Sequence, residues 1–184
     1  MLYRLNNGSR MSREVHVRFC DGLGVKLLRS THPYIRLNNG FAYLCAVIDL
    51  YTRSILSWRL SPVMEERLTL SVMEDALSFY GGQEIFNSDQ GSQYTAQGFV
   101  NMLVDHGISI SMDSKGRAYD NIIMERFWRT VKHENVYPSG YININEAMAG
   151  INEYMHKYNN SRLHSALNYK PPMSAYNEYF RKAA

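Results

Sequence analysis

YIRLNNGFAYLCAVIDLYTRSILSWRL, residues 34–60, carries the β-rich pattern of the chain. Residues 34–37 and 41–50 are rich in β-branched, aromatic and other apolar side chains and flank Asn38-Asn39-Gly40. Asn-Gly accepts positive φ at both central positions of a type I′ turn, so this segment predicts a hairpin. Residues 53–60 partly alternate and predict a third strand, which completes an antiparallel meander.

After residue 60 the period changes. Residues 65–80 place Leu68, Val72, Ala76 and Phe79 on one helical face, with Met73 and Leu77 beside it, and end at Gly81-Gly82. Residues 84–88 predict a short strand. Thr95 predicts an N-cap for a helix to His106, closed by Gly107. Residues 108–112 predict another strand, 113–118 a loop, and 119–134 and 145–158 two helices. The order β-β-β-α-β-α-β-α-α implies an α/β protein with a mixed sheet flanked by helices. A meander joined to later parallel strands is the order of the ribonuclease H-like fold, although many topologies share parts of it.

Composition excludes several classes. The chain has 184 residues, 45% hydrophobic and 20% charged, which is a globular composition long enough to bury a core without staples. Its two cysteines, Cys20 and Cys45, form neither a disulfide framework nor a CxxC zinc motif. No apolar run is long enough to span a bilayer, and residues 1–10 lack a signal-peptide core. A soluble cytoplasmic protein with no membrane partner is the expectation. Basic residues gather at the ends. Residues 1–30 hold Arg4, Arg10, Arg13, Arg18, Lys26 and Arg29 against Glu14 and Asp21, and the last thirty hold Lys157, Arg162, Lys170, Arg181 and Lys182 against Glu178. Such ends are compatible with a polyanion partner, but charge alone favours a solvated surface.

Asp89 ends the short strand predicted at 84–88, and strand C-termini in α/β sheets are where sites collect. Glu125 lies in the helix predicted at 119–134. Lys132 follows seven positions later, so it shares a face with Glu125, with Arg129 beside them; Ile123, Phe127 and Val131 mark the core side. Two-metal phosphodiester chemistry needs clustered hard oxygen ligands, with cations nearby to hold the strand by its phosphates. Singly, each residue has an ordinary reading as a turn cap or a surface pair.

Four longer stretches make the pattern specific: FAYLCAVIDLYTRSILSW (41–58), FNSDQGSQYTAQGF (86–99), SMDSKGRAYDNIIMERFWRTVKHE (111–134) and YNNSRLHSALNYKPPMSAY (158–176). Together they resemble the integrase core of bacterial insertion-sequence transposases, the second-frame protein that supplies the catalytic domain, related to retroviral integrases. The resemblance implies a ribonuclease H-like fold and a three-carboxylate site binding two Mg²⁺ or Mn²⁺, in which a DNA 3′-hydroxyl attacks a target phosphodiester. By motif match Asp89 is the second carboxylate and Glu125 the third, both metal ligands and catalytic. Lys132 matches a residue that contacts transposon-end DNA, and Asn121 belongs to the same motif. Tyr158, Asn159, Arg162 and His164 match the C-terminal signature, with Arg162 and Arg129 as further DNA-binding candidates. The implied partners are transposon-end and target DNA and further copies of the chain.

One departure stands out. The family's first carboxylate lies in its first strand, and aligning Tyr34-Ile35 places Thr31 there, followed by His32 and Pro33. A threonine hydroxyl is a neutral ligand, and proline suits a central strand poorly. Asp49 matches a different family position and reads as a structural turn residue. The sequence therefore divides into 1–33, an atypical segment that is disordered or frameshift-derived, and 34–180, a catalytic core with a C-terminal helical extension. Two functions follow: an impaired transposase core, or a non-catalytic DNA-binding remnant of one.

Overall fold

The computed structural model describes residues 27–31, 33–81, 84–88, 91–112 and 122–182. Its strands are β1 (Leu27–Thr31), β2 (Tyr34–Leu37), β3 (Gly40–Asp49), β4 (Ile55–Ser61), β5 (Ile85–Ser88) and β6 (Ser109–Met112). The helices are α1 (Glu66–Tyr80), α2 (Ser92–Thr95), α3 (Gln97–Asp105), α4 (Ile122–Val131), α5 (Tyr137–Ser139), α6 (Ile144–Asn160) and α7 (Pro172–Lys182). A π-helical segment, Lys132–Val136, joins α4 to α5.

Among the described residues the strands form one six-stranded sheet. β3 pairs antiparallel with β4 on one side and with β1 and β2 on the other; β5 then runs parallel to β1, and β6 parallel to β5. β1 and β2 act as one strand against β3. Thr31 pairs with Ala46 and Tyr34 with Tyr43, and between them the Leu44 amide donates to the Pro33 carbonyl at 3.0 Å. The register passes through the proline unchanged. Pro33 has no amide to return to Leu44, so the ladder there has one bond where two are usual. The order is thus an antiparallel meander extended by two parallel strands, as the sequence predicted, but the sheet starts earlier than Tyr34. Leu27–Thr31 is a central strand in a region where no period was legible.

β3 feeds both faces because its side chains alternate. Ala42, Leu44, Ala46 and Ile48 join Met124, Phe127, Trp128 and Val131 of α4 and Ala147, Ile151, Tyr154 and Tyr158 of α6 in one core. Cys45 and Val47 join Leu28, Phe86, α1 and α3 in the other, with Tyr176 from α7. Each fully buried large apolar side chain contributes about 1.5–3 kcal/mol, so the two cores clamp the sheet between its helices.

Local expectations fail where tertiary contacts intervene. The hairpin forms, yet Asn38 and Asn39 keep negative φ and Gly40 takes φ 133°, so the turn is not type I′. The Asn38 and Asn39 amides instead donate to the Tyr141 and Ile142 carbonyls at 3.0 and 3.3 Å. The buried stripe of α1 is rotated toward Met73 and Leu77, which leaves Phe79 at its edge and 78% exposed. Thr95 closes the short α2 instead of capping α3, whose preceding residue is Ala96. The helix predicted over 119–134 is α4 followed by the π segment, where the Tyr137 amide bonds back to the Lys132 carbonyl. Pro138 lacks the amide that would continue the α-helical ladder there.

Candidate active site

β1 and β5 end side by side. Their parallel register brings Leu28 opposite Phe86, Arg29 opposite Asn87 and Ser30 opposite Ser88. Adjacent strands lie about 4.8 Å apart. The next residues in the chain are Thr31 and Asp89. Thr31 is the last residue of β1; Asp89 lies outside the described residues.

The chain beyond Asp89 is anchored to β1. Tyr94 on α2 is buried, and its hydroxyl donates to Ser30 Oγ at 3.0 Å. Ser30 Oγ also lies 3.5 Å from Cys45 Sγ. Tyr94 stacks edge-on against Phe99 with centroids 5.5 Å apart. Burial pushes the Cys45 thiol up to about 12, only partly offset by its bond with Ser30.

α4 packs against β1 and carries Glu125, exposed in its first turn. Arg129 is exposed and Lys132 half-buried. The core side of α4 is Met124, Phe127, Trp128 and Val131, while Ile123, expected there, is only half-buried at its edge. Lys132 Nζ sits over the Tyr34 ring, 5.4 Å from its centre. Nothing in the sequence singled out Tyr34, Ser30 or Tyr94 as part of a site; the one available signal was Tyr34-x-Arg36, an aromatic and a cation on the polar side of an alternating strand. Asn121 lies outside the described residues.

The C-terminal signature serves the scaffold. Tyr158 is buried edge-on against Phe127, with centroids 5.2 Å apart, and His164 packs edge-on against Tyr158 at 5.1 Å. Burial, then the nearby Arg162 and Arg53 charges, lowers the His164 pKa. Arg162 is ion-paired with Glu134, whose Oε2 also accepts the Tyr154 hydroxyl at 3.0 Å. Arg162 thus has Glu134 as its partner.

Asp49 is the last residue of β3, level with Leu28 in β1 and so toward the opposite end of that strand from Thr31. It is fully buried, and its Oδ1 accepts the Thr52 amide at 2.7 Å and hydroxyl at 2.6 Å. These bonds make it a turn residue, as the sequence suggested.

Among the described residues no three His, Cys, Asp or Glu side chains group to hold a metal ion. The carboxylates of Asp89 and Glu125 have the chemistry for a hard divalent cation. Ser30, which pairs with Ser88, is followed in the chain by Thr31, whose hydroxyl is neutral where a metal pair needs clustered charged oxygens.

A mixed sheet in this strand order, flanked by helices, defines a ribonuclease H-like integrase core. The fold matches solved integrase cores: bovine immunodeficiency virus integrase (TM-score 0.70, 16% identity, covering 87% of this chain and 99% of that one) and the HTLV-2 integrase core in complex with magnesium (TM-score 0.67, 17% identity, 81% and 94%). Integrase core domain families match residues 31–118 and 106–172, and the chain belongs to the integrase core family. Its relatives include the transposase for insertion sequence element IS904 of Lactococcus lactis, 36% identical over 142 residues, covering 76% of this chain and 56% of that protein. The putative transposase InsK for insertion sequence element IS150 of Escherichia coli is 33% identical over 148 residues, covering 78% and 52%. The chain spans about half the length of these curated relatives. Among the described residues no helix is long and apolar enough to cross a membrane.

Proposed function

We propose that the chain is the catalytic-core portion of an insertion-sequence DNA transposase, impaired in strand transfer because Thr31 stands at the first-carboxylate position. The observation that carries this reading is the parallel register of Ser30 with Ser88, since it makes positions 31 and 89 successive to neighbouring residues at the ends of two strands. In this reading Asp89 and Glu125 hold one Mg²⁺ or Mn²⁺ weakly, and a second has too few charged ligands. The metal, when bound, supplies charge stabilisation to a phosphodiester under attack. Lys132, Arg129 and Asn121 face DNA phosphates, while Arg162 braces the scaffold through Glu134. The partners are transposon ends and target DNA in the cytoplasm, on which copies of the chain assemble because two ends have to be joined together.

The second reading, a DNA-binding remnant without turnover, is favoured by the same Thr31 and by the missing donor at Pro33. Calorimetric titration with Mn²⁺, comparing the natural chain with Thr31→Asp, separates them. Weak binding that the substitution tightens supports an intact site lacking one ligand. Tight binding by both means another carboxylate serves, and the impairment is wrong. Binding by neither favours the remnant.

A further inference from the structure

The β2–β3 hairpin exposes two large aromatic rings on the side opposite Ile35 and Leu37. Tyr34 is 63% and Phe41 62% exposed, and their centroids are 6.4 Å apart, edge to face. They are diagonal neighbours on one side of the hairpin, because Tyr34 pairs with Tyr43 and Phe41 with Arg36. Ile35 and Leu37, on the opposite side, are buried in the α4–α6 core. Tyr43 is half-buried against the other core. The stripe is flanked by cations: Arg36 is exposed, and Lys132 Nζ sits over the Tyr34 ring.

Exposed rings alternating with cations are the chemistry of a stacking platform for unpaired bases, in which the cations take the phosphates and the rings take the base faces. A duplex has no free base face to offer. The stripe lies beyond the C-terminal end of β1, on the side of the continuous β1–β2 strand opposite Ile35 and Leu37. We propose that Tyr34 and Phe41 bind the unpaired bases of a frayed or single-stranded DNA end, with Arg36 and Lys132 on its phosphates. The inference rests on the DNA reading above and adds the form of DNA that the site prefers.

The test uses the whole chain and two probes: a blunt duplex, and the same duplex with a short single-stranded 3′ tail carrying 2-aminopurine. The natural chain is expected to bind the tailed probe about tenfold more tightly and to quench its fluorescence by stacking. Tyr34→Ala and Phe41→Ala each abolish the quenching and most of the preference, with blunt-duplex affinity held within about twofold. Tyr34→Trp keeps both, and circular dichroism checks that every variant folds. Equal affinity of the natural chain for the two probes overturns the proposal while leaving DNA binding intact. So does an equal loss on both probes in Tyr34→Ala. Binding to neither probe overturns the DNA reading itself. If Phe41→Ala lowers the sedimenting mass without changing tail preference, the face is a contact between copies of the chain and the proposal falls.

Discussion

Asn159 closes two hydrogen bonds on Ile55: the Ile55 amide donates to Oδ1 at 2.9 Å, and Nδ2 donates to the Ile55 carbonyl at 2.7 Å. Ile55 opens β4, which pairs only with β3 among the described strands. The C-terminal end of α6 thus supplies the ladder partner that β4 lacks on its open side. Tyr158, the next residue back, is buried under Phe127 of the helix that carries Glu125.

Asn159→Ala is therefore expected to destabilise the chain by about 2–3 kcal/mol, two bonds at roughly 1 kcal/mol each plus the cost of leaving Ile55 unpaired. For a domain of this size that lowers Tm by about 4–12 °C. Asn159→Asp keeps the acceptor but not the donor and falls between the two. Urea unfolding measures both, and a loss below about 0.5 kcal/mol in Asn159→Ala would show that the brace is dispensable.

Cys45 reports on whether β1 is docked. Its thiol is buried between Ser30 and the α1 core, with a pKa pushed up to about 12 by burial. Near pH 8 its thiolate fraction is then about a thousandfold below that of an exposed cysteine. Iodoacetamide labelling followed by peptide mass analysis is expected to leave Cys45 unmodified in the native chain and to modify it in denaturant. Rapid native labelling would mean that Leu27–Thr31 is not held in the sheet.

The parts of the fold that depend on local pattern were legible. β3 alternates between two cores, and α6 has its own cap, Asn143 Oδ1 accepting the Glu146 amide at 3.0 Å. β1 was not legible: LLRST has no turn chemistry or period of its own and becomes a strand because β3 and β5 pair with it from both sides. The turn type failed for a similar reason, since Tyr141 and Ile142 claim the amides of Asn38 and Asn39. For the site, helical spacing alone put Glu125, Arg129 and Lys132 together. The neighbouring of β1 and β5 was not legible, because spacing along a chain says nothing about which strands become neighbours. The approach of Lys132 to Tyr34 joins a π-helical segment to a distant strand, and neither local pattern contains it.

Asp49 gives stability a sign with pH. Burial raises its pKa above 3.8, more than the Thr52 bonds and the Arg53 charge lower it. The folded state thus holds this proton at pH values where the unfolded chain has lost it. The contribution is fully present below the unfolded pKa and is lost as pH rises through the folded one, at up to about 1.4 kcal/mol per pH unit. The side-chain amide introduced by Asp49→Asn keeps an oxygen that can accept both Thr52 bonds, and it does not titrate. Unfolding free energies of the two proteins, measured upward from about pH 4, are expected to diverge in favour of Asp49→Asn as pH rises. Parallel curves would mean that Asp49 titrates alike folded and unfolded.

Lys132 and Arg162 are separated by what already holds them. The Lys132 ammonium lies over an exposed ring, a contact that leaves its charge available to a phosphate. Arg162 is paired with Glu134, so binding a phosphate would cost it that partner. With a blunt duplex, Lys132→Ala is expected to reduce the slope of log K against log salt by about 0.9, the release of one counterion. Arg162→Ala is expected to leave the slope unchanged and to cost at most about 1 kcal/mol of stability, because the pair is about one-third exposed and screened. Fluorescence anisotropy across a salt series measures both slopes. An equal fall for Arg162→Ala would mean that DNA draws this arginine away from Glu134, and the C-terminal signature would then be both brace and phosphate contact.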